Sequence, residues 1–301
     1  MVKRCIHVFL LAALALAVQV SPSMAWDIWQ TSDYCQILDD PCVDLYEISF
    51  AYVPPSDFGD YGRSETLELD VNWSLAYFRD IARSDLSLGL SWQTRVFPSS
   101  TRLQLPDQLT SIALDSVMTW RYDTGQALQV SASPGIYSDG EEFGGGMFLA
   151  PFSCSLIHAS HRRLSTQVGL LFRPGFEQTV MPLINVKCEL DDFWLIEAGL
   201  PVTRVSYLVD RDWTAYGGFE WENTTFAIRE KSDYNRDRAT IEDFRLYAGA
   251  AYQVSDQCRA ALDGGVIFGR SVEFKREVQG LDSDVGIDSA LFVRLSIVAP
   301  F

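Results

Sequence analysis

Histidine is scarce in this sequence: only three occur among 301 residues, and His7 lies within residues 1–25, which have the pattern of a cleaved signal peptide. A histidine base for hydrolysis could therefore come only from His158 or His161. No cysteines have the CxxC spacing or a Cys/His spacing typical of zinc, so we predict no metal and no cofactor. Basic residues number 24 against 40 acidic ones, and a formal charge of −16 argues against a nucleic-acid partner.

Long apolar runs are also missing after the N-terminus, which argues against a helical membrane protein. Lys3 and Arg4 precede an apolar run over residues 8–20, and Ser23-Met24-Ala25 places small residues where a signal peptidase cuts. We therefore predict a cleaved signal peptide over residues 1–25 and export from the cytoplasm. A retained N-terminal anchor is the alternative interpretation.

Five cysteines remain after that cleavage, and an odd number leaves at least one free thiol. Cys35 and Cys42 close a short loop in a segment rich in Asp, where an oxidising periplasm would permit a disulfide. We predict that this segment, residues 26–43, is a periplasmic extension or a plug.

Residues 44–301 show strand-like alternation of apolar and polar residues almost throughout. Residues 46–52, 67–77, 86–92, 244–254 and 291–301 alternate most regularly, and about eight less regular runs lie between them, one of them over 193–209. Connections are expected at 54–57, 138–140 and 282–284, and a long extracellular loop at 229–240. Bacterial single-chain barrels have an even number of strands, so about thirteen runs indicate twelve or fourteen.

Three features favour a transmembrane barrel over a soluble β-sandwich. The strands are long enough to cross a bilayer at a tilt. Phe301 ends the chain on the apolar face of the last strand and resembles the C-terminal assembly signal of such barrels. Aromatic residues occur towards strand ends, as in interfacial girdles; these are Tyr52, Tyr77, Trp92, Trp120, Tyr122 and Tyr252. The fold class is therefore all-β, an antiparallel transmembrane β-barrel in the bacterial outer membrane, with outer-membrane lipid and the barrel-assembly machinery as partners.

Several short motifs occur together in a characteristic order. They are SPGIYSD at 133–139, VMPLI at 180–184, LPVTRVSY at 200–207, GGFEW at 217–221 and GGVIFGRS at 264–271. In this order they resemble an uncharacterised bacterial outer-membrane barrel family of planctomycete-type bacteria, a domain of unknown function. The resemblance covers residues 45–301 and implies a barrel and an envelope location, but no activity.

Polar residues on the opposite face of the strands are predicted to face the lumen. The candidates are Glu47, Glu68, Asp70, Asn72, Gln93, Arg95, Arg121, Gln129, Gln167, Glu220, Glu222, Arg245, Asp263 and Arg294. They could line a hydrated pore or pair into a plugged interior. We expect porin-like passage or binding of small polar solutes, with cation preference set by the inward acids. An envelope scaffold is one alternative.

The other alternative is a lipid-modifying enzyme that uses His158 or His161. Ser155, Ser160, Ser165 and Glu189 would be its nominal partners. No GxSxG motif accompanies them, so we predict that the chain is not an enzyme.

Overall fold

The computed structural model describes residues 45–300 apart from 82–83, 99–105, 123–124, 141–146, 162, 229–237, 256–257 and 275–283. The predicted signal peptide, the 26–43 segment with Cys35 and Cys42, and the C-terminal Phe301 lie outside the described residues. They remain predictions.

The described chain is almost entirely antiparallel β-structure, as the alternation predicts. One 3-10 turn, Gly59–Tyr61, follows the first strand. The strands are β1 Leu45–Asp57, β2 Arg63–Ile81, β3 Ser84–Val96, β4 Gln108–Tyr122, β5 Gln126–Ala132, β6 Gly135–Ser138, β7 Phe148–Leu149, β8 Phe152–His161, β9 Leu164–Phe172, β10 Val180–Glu189, β11 Trp194–Leu200, β12 Val202–Leu208, β13 Trp213–Ala227, β14 Arg238–Ser255, β15 Cys258–Phe274, β16 Asp284–Ile287 and β17 Ala290–Pro300.

The sheet closes on itself because β1 pairs with both β2 and β17. Three wall strands are each made of two segments: β5 with β6, β7 with β8, and β16 with β17. Within the described residues the wall is therefore a closed barrel of fourteen strands. This confirms the predicted barrel and selects the larger of the two strand numbers.

The sequence pattern predicts one strand over residues 193–209, where the structure has two. That stretch is a hairpin rather than one strand, because β11 ends at Leu200 and β12 begins at Val202. Pro201 lacks a backbone N–H and cannot donate a hydrogen bond to a ladder. Thr203 Oγ1 completes the turn by accepting from Gly199 N at 3.1 Å. The connection predicted at 54–57 was also misplaced, since β1 continues through a bulge to Asp57.

The two ends of the barrel differ in the length of their connections. Six connections at the end that holds Leu45 and Pro300 have two to four residues between strands. Most connections at the other end are longer, up to eleven residues. Outer-membrane barrels have short periplasmic turns and longer extracellular loops, so we name the two ends accordingly.

The outer surface of the wall is apolar. On β14 the outward residues from Phe244 to Val254 are all apolar or aromatic, and Leu246 is 58% exposed. Aromatic pairs follow the periplasmic edge, as in a girdle: Tyr46 with Trp73, Trp194 with Tyr207, and Trp213 with Tyr252. In the described part of the chain, no helix has the length and apolar character needed to cross a membrane.

Tyr77 is an exception to the predicted girdle. A bulge between Ser74 and Ala76 reverses the alternation of β2, so Tyr77 lies opposite the inward-facing Ser87. A bulge of one residue exchanges the two faces of a strand. The placement of Tyr77 on the lipid face was therefore wrong.

The extracellular part of the barrel is narrower than the periplasmic part. Ser138 of β6 pairs in parallel with Ala227 of β13. These two strands therefore meet at the extracellular end, whereas other strands separate them towards the periplasmic end. We call β1–β4, β6 and β13–β16 at this level the upper ring, and the fourteen-strand part below it the lower ring. The loop between β9 and β10, residues 173–179, packs against the upper ring: Arg173 Nη1 donates to Asn223 O at 2.8 Å.

Candidate functional site

Apolar side chains fill the inside of the upper ring. They come from strand ends and loops at the extracellular end and are all buried; we call them the extracellular core. Its members are Phe58, Phe97, Leu109, Tyr137, Leu149, Phe176, Phe226, Ala239, Ile241, Val272, Phe274, Val285 and Ile287. Phe58, Leu109 and Val272 are 0% exposed. In this conformation the extracellular core closes the barrel above its lumen.

A group of buried ion pairs lies directly beneath the extracellular core. We call it the central network: Glu68, Arg95, Glu222, Asp243, Arg245 and Arg270. Three arginines face three carboxylates, so the central network is electrically balanced. It joins β2 and β3 to β13, β14 and β15 across the interior.

Arg245 forms a bidentate ion pair within the central network. It donates from Nη1 and Nη2 to the two carboxylate oxygens of Glu68, each at 2.8 Å. Nη2 also lies 3.0 Å from Glu222 Oε2. Arg95 contacts Glu222 and, at 3.2 Å, Asp243 Oδ2. Buried charges are stable only with such pairing and hydrogen bonding, which explains why these side chains occur together.

Arginine and tyrosine residues form the next layer towards the periplasm. Arg294 Nε donates to Asp263 Oδ1 at 3.1 Å, and its Nη1 donates to Glu220 Oε2 at 3.1 Å. Tyr216 donates its hydroxyl to Asp263 Oδ2 at 2.9 Å, and its ring meets that of Tyr247 edge to face. The inward-facing Gly218 leaves room for this layer, since a Cβ there would lie 2.7 Å from the Tyr247 hydroxyl.

The wall formed by β5, β8 and β9 has a different chemistry. Its inward side chains include five neutral hydroxyls and amides, and we call this group the neutral wall: Gln129, Ser131, Ser153, Ser155 and Gln167. The inward Ala127 and Ile157 of the same strands are apolar and buried. Gln167 Nε2 donates to Gln129 Oε1 at 3.1 Å and to Ser155 Oγ at 2.9 Å. Ser131 and Ser153 share a hydrogen bond of 2.7 Å. These groups have the capacity to exchange hydrogen bonds with a polar solute.

The remaining predicted lumen residues lie near or below these layers. Gln93 Nε2 donates weakly to Glu222 Oε1 at 3.4 Å, and Asp70 accepts from Ser49 at 3.3 Å. Arg121 pairs with Asp85 at the periplasmic end. Asn72 lies opposite Glu47 in the ladder and is exposed.

Pattern reasoning did not identify two members of the central network. Asp243 has the same parity as Arg245 on β14, and that spacing would have revealed it. Arg270 could not be found in this way, because a bulge at Gly269, which has φ 56°, shifts the parity of β15 between Asp263 and Arg270.

Among the described side chains, Ser155 and His158 do not form the hydrolase pair considered above, and the side chain of His161 lies outside the described part of the chain. Ser155 is buried and faces the interior, whereas His158 is exposed and lies on the opposite face of β8. Ser165 is also buried on the inner face of β9. A serine nucleophile and its histidine base must be within hydrogen-bond reach, which strand geometry prevents for Ser155 with His158.

The loop between β9 and β10 carries a group that titrates near neutrality. Burial, followed by the hydrogen bond and charge of Glu273, raises the pKa of Glu177 to about 7. Because the pKa of Glu177 is raised in the folded state, protonated Glu177 stabilises the packed loop at low pH. This stabilisation is lost as the pH rises through about 7 and Glu177 ionises.

We therefore expect the 173–179 loop to pack less firmly at pH 8 than at pH 5. Amide hydrogen exchange of its backbone, corrected for the intrinsic rate at each pH, measures this packing. Glu177→Gln is the control and should remove the pH dependence. Equal protection at both pH values in the unaltered protein would contradict the expectation.

The fold is similar to that of solved bacterial channels at very low sequence identity. A TodX deltaS2S3 mutant monoaromatic hydrocarbon channel aligns with a TM-score of 0.50 at 10% identity, over 90% of this chain and 93% of that one. An outer membrane channel from Pseudomonas putida F1 aligns with a TM-score of 0.41 at 10% identity, over 93% and 100%. The KdgM porin gives 0.36 at 9% identity, over 85% and 99%.

No family model matches the chain, and no curated protein matches it. The resemblance to an uncharacterised planctomycete-type family therefore stays a prediction. At such low identity, the similarity to the solved channels shows the fold alone.

Proposed function

We propose that this chain is a bacterial outer-membrane barrel that binds small polar solutes and passes them in a porin-like manner. The neutral wall carries this proposal, because it lines the lower ring with hydroxyl and amide groups opposite the charged layers. A solute in the lower ring would exchange hydrogen bonds with one side and meet fixed charges on the other. A barrel interior that only stabilised the fold would not require neutral hydrogen-bonding groups on one side and charged groups on the other.

The outer surface supports the membrane location. Its apolar band and the aromatic pairs along the periplasmic edge match a barrel embedded in lipid. The TodX deltaS2S3 mutant structure, which aligns with a TM-score of 0.50, is described as a monoaromatic hydrocarbon channel. We infer export through the predicted signal peptide and insertion by the barrel-assembly machinery.

Passage would be gated, since the extracellular core closes the upper ring in this conformation. In planar bilayers we expect the refolded mature protein to show discrete but rare conductance steps. Folding is verified independently by heat-modifiable migration on a gel. If neither the unaltered protein nor a variant with a truncated extracellular core shows any steps, the passage proposal is wrong.

The neutral wall provides a matched pair of variants for the open state. Gln167→Glu and Gln167→Lys add opposite charges at one inward position, so they should shift ion selectivity in opposite directions. The reversal potential under a KCl gradient measures this shift. Identical reversal potentials would show that ions do not pass this wall.

A scaffold barrel is the second candidate, and the closed upper ring together with the central network favours it. It predicts a folded protein that stays silent in bilayers even after the extracellular core is truncated. The lipid-hydrolase alternative receives no support from the positions of Ser155 and His158.

A further inference from the structure

Two rows of polar side chains lie next to each other on β9, β10 and β11 in the lower ring. In the first row, Gln167 lies opposite Asn185 in the ladder, and Asn185 lies opposite Gly199. In the second row, Lys187 lies opposite Glu197, and their Nζ and Oε1 atoms are 4.0 Å apart. Both rows are on the inward face, because alternate residues of a strand point to the same side. A solute in the lower ring can therefore contact both rows at once.

The Asn185 amide lacks a donor for its oxygen. Its Oδ1 atom is buried and, among the described residues, accepts no hydrogen bond. A buried acceptor without a donor costs free energy. The side chain as a whole is only half-buried, so rotation of the amide about χ2 turns Oδ1 towards the lumen. A ligand hydroxyl at that position would supply the missing donor.

The Gln167 amide, in contrast, is held in place by its neighbours. Its Nε2 donates to Gln129 Oε1 at 3.1 Å and to Ser155 Oγ at 2.9 Å, which uses both hydrogens of the amide. Its Oε1 atom is therefore the group that it can offer to a ligand. The inward Gly169 and Gly199 have no side chains, so the wall is recessed next to both amides.

The second row adds a charged donor and a charged acceptor. The side chains of Lys187 and Glu197 are 33% and 37% exposed, so both reach the lumen. Because 4.0 Å is longer than a good hydrogen bond, a ligand hydroxyl can accept from Lys187 and donate to Glu197. Glu197 also lies opposite Arg204 of β12, so one acid stands between two bases. This alternation of charge disfavours the close approach of either an anion or a cation and favours a neutral solute.

We infer that Gln167, Asn185, Lys187 and Glu197 form a binding site for the hydroxyl groups of a neutral sugar or polyol. A hydroxyl both donates and accepts, so it can use the amide acceptors of the first row and the ion pair of the second. The two rows are about 7 Å apart along the strands, a distance that one six-membered sugar ring spans with its hydroxyls. The inference rests on the proposed function in that the solute must enter the lower ring. It narrows the solute class from small polar molecules to neutral polyhydroxylated ones.

Binding is tested on the mature protein refolded in a polyoxyethylene detergent, whose headgroup contains no sugar. D-glucose and myo-inositol are the probes in isothermal titration calorimetry, with cyclohexanol and sodium succinate for comparison. We expect saturable binding of at least one of the two polyols and weaker or no binding of the comparison compounds. Asn185→Leu and Lys187→Met should each weaken polyol binding by about three- to tenfold, as expected for the loss of one hydrogen bond.

Asn72→Leu is the matched control, because Asn72 is an inward amide on β2, away from this site. It should leave the affinity unchanged. Asn185→Leu should also fold as stably as the unaltered protein, since it removes a buried acceptor that has no donor. A purely structural role of Asn185 would instead lower the free energy of unfolding and leave binding intact. Because Lys187 is partly exposed, Lys187→Met tests the site if Asn185→Leu fails to refold.

Three results would overturn this site. They are no saturable binding of either polyol, tighter binding of succinate than of both polyols, and an equal loss of affinity in Asn72→Leu. Because calorimetry requires no conduction, the two proposals can fail separately. A silent bilayer with retained polyol binding rejects passage alone, and a conducting channel without polyol binding rejects this site alone.

Discussion

Replacing Arg245 by Met should destabilise the folded barrel by about 3–5 kcal/mol, the usual cost of removing one partner from a buried ion pair. The two hydrogen bonds of 2.8 Å to Glu68 would be lost, and the central network would keep three carboxylates with two arginines. A buried excess of negative charge has no solvent to stabilise it. The free energy of unfolding, from urea titration of the barrel in lipid vesicles, measures this loss.

Two further variants distinguish the contribution of the buried ion pair to the free energy of unfolding from that of an exposed surface ion pair. Arg63 and Asp57 are also 2.8 Å apart, but their side chains are 66% and 45% exposed. Arg63→Met should therefore change the free energy of unfolding by about 1 kcal/mol or less. The double variant Glu68→Met/Arg245→Met restores the charge balance and should recover much of the loss. If Arg245→Met matched Arg63→Met, the central network would not support the fold.

The second large effect is expected from Phe226→Ala in the extracellular core. Phe226 is 1% exposed, and truncation of a buried phenylalanine costs about 3–5 kcal/mol. That cost falls on the closed conformation, because an open path requires the extracellular core to separate. The ratio of open to closed states should therefore rise by about two to four orders of magnitude. Single-channel recording of open probability at fixed voltage measures the change.

Phe268→Ala is the matched control for this experiment. Phe268 lies on the lipid-facing side of β15 and is 38% exposed, so its truncation leaves the interior unchanged. It should keep the low open probability of the unaltered protein. Equal open probabilities for Phe226→Ala and Phe268→Ala, with both folded, would show that the extracellular core is not the barrier to passage.

Alternation of apolar and polar residues predicted the β-structure, because lipid on one side and a polar interior on the other impose a period of two along every strand. Strand length, aromatic residues at strand ends and the C-terminal Phe301 were needed to favour a barrel over a soluble sandwich. The alternation signal fails where the backbone departs from regular pairing. Pro201 divides an apolar stretch into a hairpin, and bulges after Ser74 and at Gly269 exchange the two faces. Such irregularities depend on how neighbouring strands fit together.

The partners of the inward charges were beyond sequence reasoning for a different reason. Glu68 and Arg245 are separated by 177 positions, and which inward residues meet depends on the stagger with which the sheet closes. The extracellular core was missed because its members lie at strand ends and in loops. Aromatic residues at strand ends are also typical of an interfacial girdle, so only the meeting of β6 with β13 shows that some of them turn inwards.

The β11–β12 hairpin has a consequence for how barrels of this shape can diversify. Each of its strands has seven residues, and β12 pairs with β13 only as far as Glu220, so the hairpin contributes no backbone pair to the upper ring. Duplication or deletion of such a hairpin changes the circumference of the lower ring by two strands and keeps the number of strands even. The closure at the cell surface would remain intact, so the width of the lower ring and surface closure can evolve as separate modules.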